Sequence, residues 1–388
     1  MEIAIKKLGE IITGNTPSKK EDEYWNSADI CFVKPDGIAD EGITLVNASN
    51  EYISEKARAK ARVVSKDSVF VTCIGTIGKI GIAGDGDYAF NQQINVIVPN
   101  ERVIPRYLAY NLLYSKPKLS AIANAPVVPI INKTQFSDFT INIEDDRKKQ
   151  ADIVAVLDKL MVIIDARRKE VEELDDLIKA RFVEMFGDPE HNNKGWSVKK
   201  LNDLCSIGSS KRIYQEEQTI GGIPFWRISD LVAKMDTGNV DSSLYIPESR
   251  YDELKAQGLV PEPGDILVTS RGTLGRCYII SPDDRFYFQD GMISWLSKYT
   301  DEITPLYIQY LFDMPGFRKQ IDGMQAGSTV AYLSIAMLKK LNIMLPDIEL
   351  QERFAAFIAQ TDKSKVAVQK ALDKTQVLFD SLMQEYFG

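Results

Sequence analysis

Two stretches of the chain lack Gly and Pro and carry apolar residues that step by four and three positions. They cover residues 150–186 and, 201 positions later, residues 351–387. A sustained 3.5-residue spacing is typical of a coiled-coil seam rather than of a helix with one buried face. Each stretch predicts a helix roughly 55 Å long. The predicted seam residues are Ile153, Leu157, Leu160, Ile164, Val171, Leu174, Ile178 and Met185 in the first helix, and Phe354, Ile358, Val368, Leu372, Phe379, Leu382 and Tyr386 in the second.

Polar residues interrupt both seams. They are Arg167 and Arg181 in the first, and Thr361, Lys365 and Thr375 in the second. Polar residues at seam positions disfavour self-pairing and help to fix register and partner. The alternative interpretation is that these long side chains lie on the flank of each helix.

The residues before each helix mix short β-rich runs with turn residues. Residues 68–72 precede Gly75, and residues 265–269 precede Gly272. Helical stretches interrupt the strands near residues 105–113 and 305–312, and each begins with a proline, as the first turn of a helix allows. The pattern predicts an α+β domain with a strongly curved or barrel-like sheet.

The whole chain is a duplicated unit. Lys6-Lys7-Leu8 recurs as Lys199-Lys200-Leu201, and Gly75-Thr76-Ile77-Gly78-Lys79 recurs as Gly272-Thr273-Leu274-Gly275-Arg276. Such self-similarity decides the fold assignment before any motif does. We predict four parts: a first head at residues 1–146, a helix and linker at 147–194, a second head at 195–347, and a final helix at 348–388.

Each copy therefore offers one globular head and one long helix that needs a partner. A single chain satisfies both helices most simply by packing them together. Duplicated units are commonly related by a two-fold operation, which makes the two helices antiparallel. The sequence thus predicts pseudo-symmetric heads at opposite ends of a helical rod.

Composition narrows the function classes. The longest apolar runs fall far short of the roughly 18 residues of a membrane span, and we expect a cytoplasmic protein with no membrane partner. The only histidine, His191, lies in a polar linker, so neither a multi-histidine metal site nor a Ser-His-Asp site is favoured. The four cysteines form no CxxC pair, so reduced, mostly buried thiols are expected.

The distribution of charge along the chain is compatible with a nucleic-acid partner. The net charge of −8 argues against DNA, but residues 1–141 carry 16 basic and 16 acidic groups, and residues 195–346 carry 16 and 18. The excess negative charge therefore lies mainly in the helices, which are not expected to follow phosphates. Near-neutral heads can still present a basic face.

Basic and polar side chains cluster in turn-rich segments of both heads. Arg and Lys suit guanine edges and phosphates, whereas Gln, Ser and Thr suit adenine edges and backbone oxygens. Gln92 and Gln93 follow at positions that match Gln289. Ordinary solvated loops are the alternative interpretation for each residue. The candidate DNA-binding residues are Lys19, Lys20, Lys34, Thr76, Lys79, Gln92 and Gln93 in the first head, and Lys211, Arg212, Arg227, Ser270, Arg271, Thr273, Arg276 and Gln289 in the second.

No enzymatic motif is complete. The repeated glycine turn has two residues between its glycines where a Walker loop needs four, so a tight turn is favoured. None of the sixteen prolines adjoins another, whereas amino-methyltransferases need a proline pair beside Asn or Asp. Glu253-Leu254-Lys255 resembles part of a nuclease site but falls in a predicted amphipathic helix without a counterpart in the first copy. We predict no catalytic residues and no metal site.

This layout resembles the DNA-specificity subunit of type I restriction-modification enzymes over essentially the whole chain. The features that carry the resemblance are the head–helix–head–helix order, the two Gly-Thr-(Ile/Leu)-Gly-(Lys/Arg) turns, Gln150 and Gln351 near the helix starts, and the helix ends at Phe186-Gly187 and Phe387-Gly388. The first copy departs from the pattern at residues 144–146, where the second has Pro346.

The resemblance implies a non-catalytic subunit. Each head would read one half of an asymmetric, bipartite double-stranded DNA sequence. The helix pair would set the spacer and dock two modification subunits, which methylate adenine with S-adenosylmethionine. Restriction subunits would bring ATP and Mg²⁺, and this chain itself would bind no cofactor. A stand-alone two-headed DNA-binding regulator is the alternative, and a nuclease or modification enzyme is a further one.

Overall fold

The computed structural model describes residues 1–123, 128–324 and 331–388. The chain divides into two compact units: unit 1 comprises Met1–Lys169 and Gln369–Gly388, and unit 2 comprises Glu170–Val368. Both mix helices and sheets, so the predicted α+β class is confirmed. The units cut across the four-part division predicted from the sequence, because each takes one part of both long helices. That four-part division stays a prediction.

The first head contains open sheets and short helices. The elements are β1 (Glu2–Ala4), β2 (Gly9–Thr13), β3 (Ile30–Val33), β4 (Ile43–Val46), β5 (Glu51–Ile53), β6 (Val63–Ser65), β7 (Val69–Thr72), β8 (Ile80–Ala83), β9 (Asp87–Phe90), β10 (Ile94–Pro99), α1 (Pro105–Tyr114), α2 (Lys116–Ala121), α3 (Lys133–Asp138), β11 (Thr140–Asn142) and the long helix α4 (Arg147–Phe186). The strand orders of the three sheets are β1–β11, β2–β10–β7–β8–β4 and β5–β3–β9–β6. No sheet of the described residues closes into a barrel.

The second head repeats this plan with fewer strands. The elements are β12 (Ser197–Lys200), α5 (Leu201–Leu204), β13 (Ser206–Gly208), β14 (Ile223–Trp226), α6 (Ile228–Thr237), β15 (Tyr245–Ile246), α7 (Glu248–Ala256), β16 (Ile266–Thr269), β17 (Cys277–Ile279), β18 (Tyr287–Phe288), β19 (Ile293–Ser297), α8 (Pro305–Asp313), α9 (Pro315–Gly323), α10 (Ile335–Leu338), β20 (Asn342–Leu345) and the long helix α11 (Ile348–Phe387). The strand orders of its three sheets are β12–β20, β13–β19–β16–β17 and β15–β14–β18.

The repeated glycine turn has the same geometry in both heads. Gly75 and Gly78 have φ values of 79° and 78°, and Gly272 and Gly275 have 68° and 72°. Only glycine adopts such angles without strain, which accounts for the motif. The hydroxyl of Thr72 donates to the Thr76 carbonyl at 2.5 Å and accepts from the Lys79 amide at 3.0 Å. The Thr269 hydroxyl makes the same two bonds, with the Thr273 carbonyl and the Arg276 amide. The motif is therefore a tight turn between two strands.

In unit 1 the start of α4 lies beside the end of α11. The Tyr110 hydroxyl donates to Asp158 at 2.6 Å, and its ring lies 6.2 Å from that of Phe379. The ring of Phe387 packs edge-on against Tyr107 at 5.2 Å. Leu157 and Ile164 of α4 share one buried core with Phe379 and Met383 of α11. The two helices are antiparallel in this unit.

In unit 2 the second part of α4 packs against the first part of α11. Lys365 and Asp175 form an ion pair at 2.5 Å, and the Arg181 guanidinium lies 5.7 Å from the Phe357 ring. Partner numbers on α11 fall as those on α4 rise, so the helices are antiparallel here as well. Lys365 and Arg181, two of the polar seam residues, thus contact the facing helix and do not lie on the flank of their own.

The structure places every predicted seam residue in a buried or half-buried position. The fully buried ones include Leu157, Ile164 and Ile178 of α4, and Phe354 and Ile358 of α11. The helices themselves begin and end within three residues of the predicted stretches. No helix of the described residues is both long and apolar enough to cross a bilayer.

A buried glutamine near the start of each long helix forms hydrogen bonds with main-chain groups of the head, and we call this arrangement the glutamine joint. Gln150 accepts from the Ile104 amide at 2.9 Å and donates to the carbonyls of Arg102 and Glu144. Gln351 accepts from the Thr304 amide at 2.9 Å and donates to the carbonyls of Glu302 and Pro346. Both side chains are inaccessible to solvent. The same joint is therefore built twice.

We expect Gln351→Leu to lower the free energy of unfolding of unit 2 by about 2–4 kcal/mol, because the main-chain groups of Glu302, Thr304 and Pro346 lose their partner in a buried site. Chemical denaturation measures the loss. The control is Gln360→Leu, on the exposed face of the same helix, which we expect to change stability by less than about 0.5 kcal/mol. Equal effects of the two substitutions would contradict the role of the joint.

Candidate nucleic-acid interface

Five segments of the first head meet at one edge of its sheets. The Asn15 amide donates to the Phe90 carbonyl, and the Asn91 amide donates to the Val33 carbonyl. The Cys73 amide donates to the Gln93 carbonyl at 2.8 Å, and the Gly75 amide to the Pro129 carbonyl at 3.0 Å. We call this edge the first rim, comprising residues 15–20, 34, 73–76, 91–93 and 129–130.

The second head builds an equivalent edge. The Gln289 amide donates to the Trp226 carbonyl at 2.9 Å, the Ser270 amide to the Met292 carbonyl, and the Leu333 amide to the Ser270 carbonyl. The Ser209 hydroxyl donates to the Ile293 carbonyl at 3.1 Å. We call this edge the second rim, comprising residues 209–212, 227, 270–273, 289–292 and 331–333. Loops held on a rigid sheet are the usual place for binding residues.

The first rim collects most of the candidate residues of its head. Lys19 and Lys34 both form ion pairs with Glu51, and the Lys19 ammonium lies 4.6 Å from the centre of the Trp25 ring. Lys20 and Thr76 are exposed. Gln92 is exposed and accepts from the Thr16 hydroxyl, whereas half-buried Gln93 accepts from Asn91. These side chains present both donors and acceptors to solvent.

Lys79 does not take part in the first rim. Its ammonium donates to the carbonyls of Pro35 and Ile38 and forms an ion pair with Asp40 at 3.0 Å. The side chain is only 12% exposed. Lys79 therefore holds the segment after β3 in place, and we leave it out of the proposed interface.

The second rim contains four of the candidate basic residues of its head, namely Lys211, Arg212, Arg227 and Arg271. Arg212 forms an ion pair with Asp290 at 2.8 Å, and Arg271 lies 5.3 Å from the centre of the Tyr332 ring. Arg227 is 45% exposed at the end of β14. Lys211 and Thr273 are exposed beside them, and Gln289 is half-buried. An arginine stacked on an aromatic ring keeps its N–H donors available at the ring edge.

Two candidates of the second head are engaged by other residues of the head. The Ser270 hydroxyl is buried and lies 2.8 Å from that of Ser294. Arg276 donates to Asp236 of α6 at 2.6 Å, as Lys79 does to its own neighbouring segment. We leave both out of the proposed interface. The register also shows that Gln289 is equivalent to Asn91 of the first head, not to Gln92 or Gln93. Asn91 and Gln289 are each the first residue after a strand, and the amide of each donates to the last carbonyl of the parallel strand beside it.

Two further basic residues adjoin the first rim and were missed in the sequence. Asn15 donates to the Lys60 carbonyl at 2.7 Å, and Arg62 donates to the Thr13 carbonyl at 2.6 Å. Both Lys60 and Arg62 are exposed. The signal was the alternation of Lys56, Arg58, Lys60 and Arg62 along one short segment.

One group of potential metal ligands occurs among the described residues, at Asp188, Glu190 and His191. Its side chains already have partners: Asp188 binds His191 at 2.7 Å, and Glu190 binds Lys319 at 2.5 Å. The hydrogen bond from His191 lowers the pKa of Asp188, and Asp188 raises the pKa of His191. We assign no metal to this exposed group.

The thiols and the nuclease-like triplet also have structural roles. Burial raises the pKa of Cys73 and of Cys205 to about 12, so these thiols stay protonated at neutral pH. Glu253 lies on α7 and pairs with Arg250 at 3.0 Å, while Leu254 is buried in the head. Glu253 and its neighbours thus follow ordinary amphipathic helix packing.

Comparison with known proteins gives the family. The model of the type I restriction modification DNA specificity domain matches residues 1–175 and again residues 193–376. The chain belongs to this family. The two matches to the specificity domain correspond to the two copies of the repeat found in the sequence.

Several specificity subunits of type I restriction enzymes are similar in sequence to this chain. The type I restriction enzyme MjaIX specificity subunit of Methanocaldococcus jannaschii is 25% identical over 403 residues, covering 98% of this chain and 90% of that protein. The EcoR124I/EcoR124II specificity subunit of Escherichia coli is 26% identical over 204 residues, covering 46% of this chain and 48% of that protein.

Solved structures of the same family share the fold. The S subunit of a type I restriction-modification system from M. genitalium superposes with a TM-score of 0.53 at 15% identity, over 100% of this chain and 96% of that one. A chain from a study of complex assembly and conformational transition of the type I R-M system gives a TM-score of 0.59 at 16% identity, over 100% and 97%.

Proposed function

We propose that this chain is the DNA-specificity subunit of a type I restriction-modification enzyme, and that each head reads one half of an asymmetric bipartite target. The observation that carries the proposal is the double rim: one arrangement of loops is built twice on matching strand registers, with different side chains in each copy. Equivalent scaffolds with different hydrogen-bonding groups suit two different DNA sequences.

The helix pair provides the surface on which we place two modification subunits. In unit 1, Val162 of α4 and Val377 of α11 are each 68% exposed, and Ile163 and Leu378 beside them are also exposed. Exposed apolar side chains that adjoin one another mark protein contacts, whereas isolated ones are ordinary. The acidic excess of these helices makes DNA an unsuitable occupant. We also propose that the length of the pair sets the spacer between the half-sites.

The chemistry of the complex belongs to the partners in this proposal. The modification subunits supply S-adenosylmethionine and methylate adenine, and the restriction subunits use ATP and Mg²⁺. This chain contributes recognition and binds no cofactor itself. We place the complex in the cytoplasm, where its DNA substrate lies.

The test is a map of methylated adenines in a host that carries this chain with its modification subunits. We expect one bipartite sequence with an unspecified spacer. The purified chain alone should bind DNA weakly and gain affinity when the modification subunits are added. Tight binding by the chain alone would favour a stand-alone regulator. Turnover of DNA by the chain alone with Mg²⁺ would favour an enzyme.

Exchange of residues 1–146 for the first head of another member of the family is expected to change one half of the methylated sequence and leave the other half unchanged. The reason is that each rim is built only from residues of its own head. Sequencing of methylated DNA measures both halves at once. The reciprocal exchange of residues 195–347 is the control, and a simultaneous change of both halves in either exchange would contradict the two-head proposal.

A further inference from the structure

Lys34 and Arg227 occupy the same place in the two heads. β3 runs parallel to β9 and β14 runs parallel to β18, with Val33 opposite Phe90 and Trp226 opposite Phe288. In each head the carbonyl of the last strand residue accepts from the first residue after the partner strand. Lys34 and Arg227 are the next residues along the chain. Each therefore leaves the sheet at its rim.

The surroundings of Lys34 combine positive and negative groups. Its ammonium contacts one carboxylate oxygen of Glu51, and Lys19 binds the other oxygen at 2.9 Å. The side chains of Lys34 and Glu51 are 32% and 30% exposed. A carboxylate held by two lysines keeps lone pairs for a further donor. The first rim thus presents a fixed acceptor directly beside a fixed donor.

The Arg227 side chain is 45% exposed, and its guanidinium has two polar neighbours, Ser243 and Asp230. One terminal nitrogen donates to the Ser243 hydroxyl at 3.3 Å. Asp230 lies 3.7 Å from Nε, beyond hydrogen-bond distance, because its carboxylate accepts from the Arg227 amide at 2.8 Å and caps α6. No acid occupies the place that Glu51 takes in the first head, since Leu244 stands there in the register. The second rim therefore presents donors at this point.

We propose that these equivalent positions determine the specificity of the two heads. Arg227 reads a guanine of its half-site through two N–H donors directed at O6 and N7. Lys34 and Glu51 read a G·C pair together: the ammonium donates to the guanine, and the carboxylate accepts from the N4 amino group of the cytosine. Each assignment follows the pairing of donors and acceptors in the major groove. The inference rests on the proposed function and names the residues that perform it.

The ion pair between Lys34 and Glu51 is expected to contribute little to the stability of the first head. Half-exposed ion pairs contribute little to folding, because water screens them and the side chains lose freedom. Removal of the Glu51 charge is therefore expected to leave the head folded. Lys79 holds the next segment by separate contacts with Pro35, Ile38 and Asp40, which Glu51→Gln does not touch.

The experiment uses the full chain with its modification subunits. The probes are double-stranded oligonucleotides that carry the methylated sequence mapped for the wild type, with each base pair replaced in turn. We expect Glu51→Gln to lose roughly tenfold or more of the discrimination at one G·C pair of the first half-site, because an amide can donate as well as accept. Discrimination elsewhere should stay unchanged.

Arg227→Lys and Arg227→Gln are expected to lose similar discrimination at one guanine of the second half-site, since neither side chain offers the planar fork. The control is Asp85→Asn, which removes the same charge from an exposed ion pair with Lys66 in the first head. We expect it to alter no position.

Two outcomes would overturn the inference. Unchanged discrimination at every position in Glu51→Gln or Arg227→Gln would remove these residues from base reading. A uniform loss of affinity for all probes would assign them to phosphate contacts instead. Failure of the proposed function is distinguishable, because the wild-type complex would then methylate no defined sequence.

Discussion

Replacement of Phe354 by alanine is expected to lower the free energy of unfolding of unit 2 by about 3–5 kcal/mol. Phe354 is completely buried. Its ring lies 5.5 Å from Phe182 and 5.2 Å from Phe186 of α4, and 5.5 Å from Tyr310 of α8. Alanine would leave a cavity where the two long helices meet the second head. Denaturation followed by tryptophan fluorescence measures the loss, because three of the four tryptophans lie in unit 2.

The matched control is Val183→Ala on α4, in the same unit. Val183 is 46% exposed, so we expect a change within about 0.5 kcal/mol. If Phe354→Ala cost no more than Val183→Ala, the aromatic cluster would not be what joins these helices. Trp25 lies in unit 1. A destabilisation that only the Trp25 fluorescence reported would likewise contradict the assignment to unit 2.

Insertion of one heptad into both long helices is expected to lengthen the preferred DNA spacer by up to about three base pairs. Seven helical residues add about 10 Å, and one base pair occupies about 3.4 Å along DNA. The insertion sites are after Lys169 and after Val368, where each helix passes from one unit to the other. Duplication of residues 163–169 and 362–368 keeps the seam in phase. The map of methylated adenines measures the spacer.

The control is the same heptad in α4 alone. It leaves the two helices unequal in length, so the seam cannot pair along its whole length, and we expect loss of methylation rather than a new spacer. Methylation by the doubly extended chain at the original spacer would refute the proposal that the helices set it. Both half-sites should remain those of the wild type.

The duplication and the long helices were predictable because their signals are local and periodic. A seven-residue repeat without Gly or Pro specifies a helix whatever surrounds it. The glycine turn was predictable for the same reason, since Gly75 and Gly78 satisfy a backbone requirement that no neighbour can change. The antiparallel packing followed from the repeat and from the need of each helix for a partner.

The composition of the rims was not predictable in full. Whether a lysine faces solvent or the protein depends on contacts with residues far away in the chain, and Lys79 turns inward to carbonyls more than forty positions distant. Ser270 is likewise buried against Ser294, and Arg276 is bound by Asp236, forty positions away in the chain. The pairing of β3 with β9 joins strands that are not consecutive, so the position of Lys34 beside Asn91 could be read only from the fold. Lys60 and Arg62 belong to a run of alternating basic residues, but the spacing of that run does not show that it lies beside the first rim.

The glutamine joint bears on how such a protein changes its target over generations. Gln150 and Gln351 bind the head through main-chain amides and carbonyls, apart from one additional contact with the Thr304 hydroxyl. Main-chain groups are the same in every sequence, so the glutamine joint itself places almost no demand on which side chains surround it. A head with a different rim can therefore keep this joint to the same helix, provided that it also matches the aromatic contacts that the long helices make with Tyr107 or Tyr310.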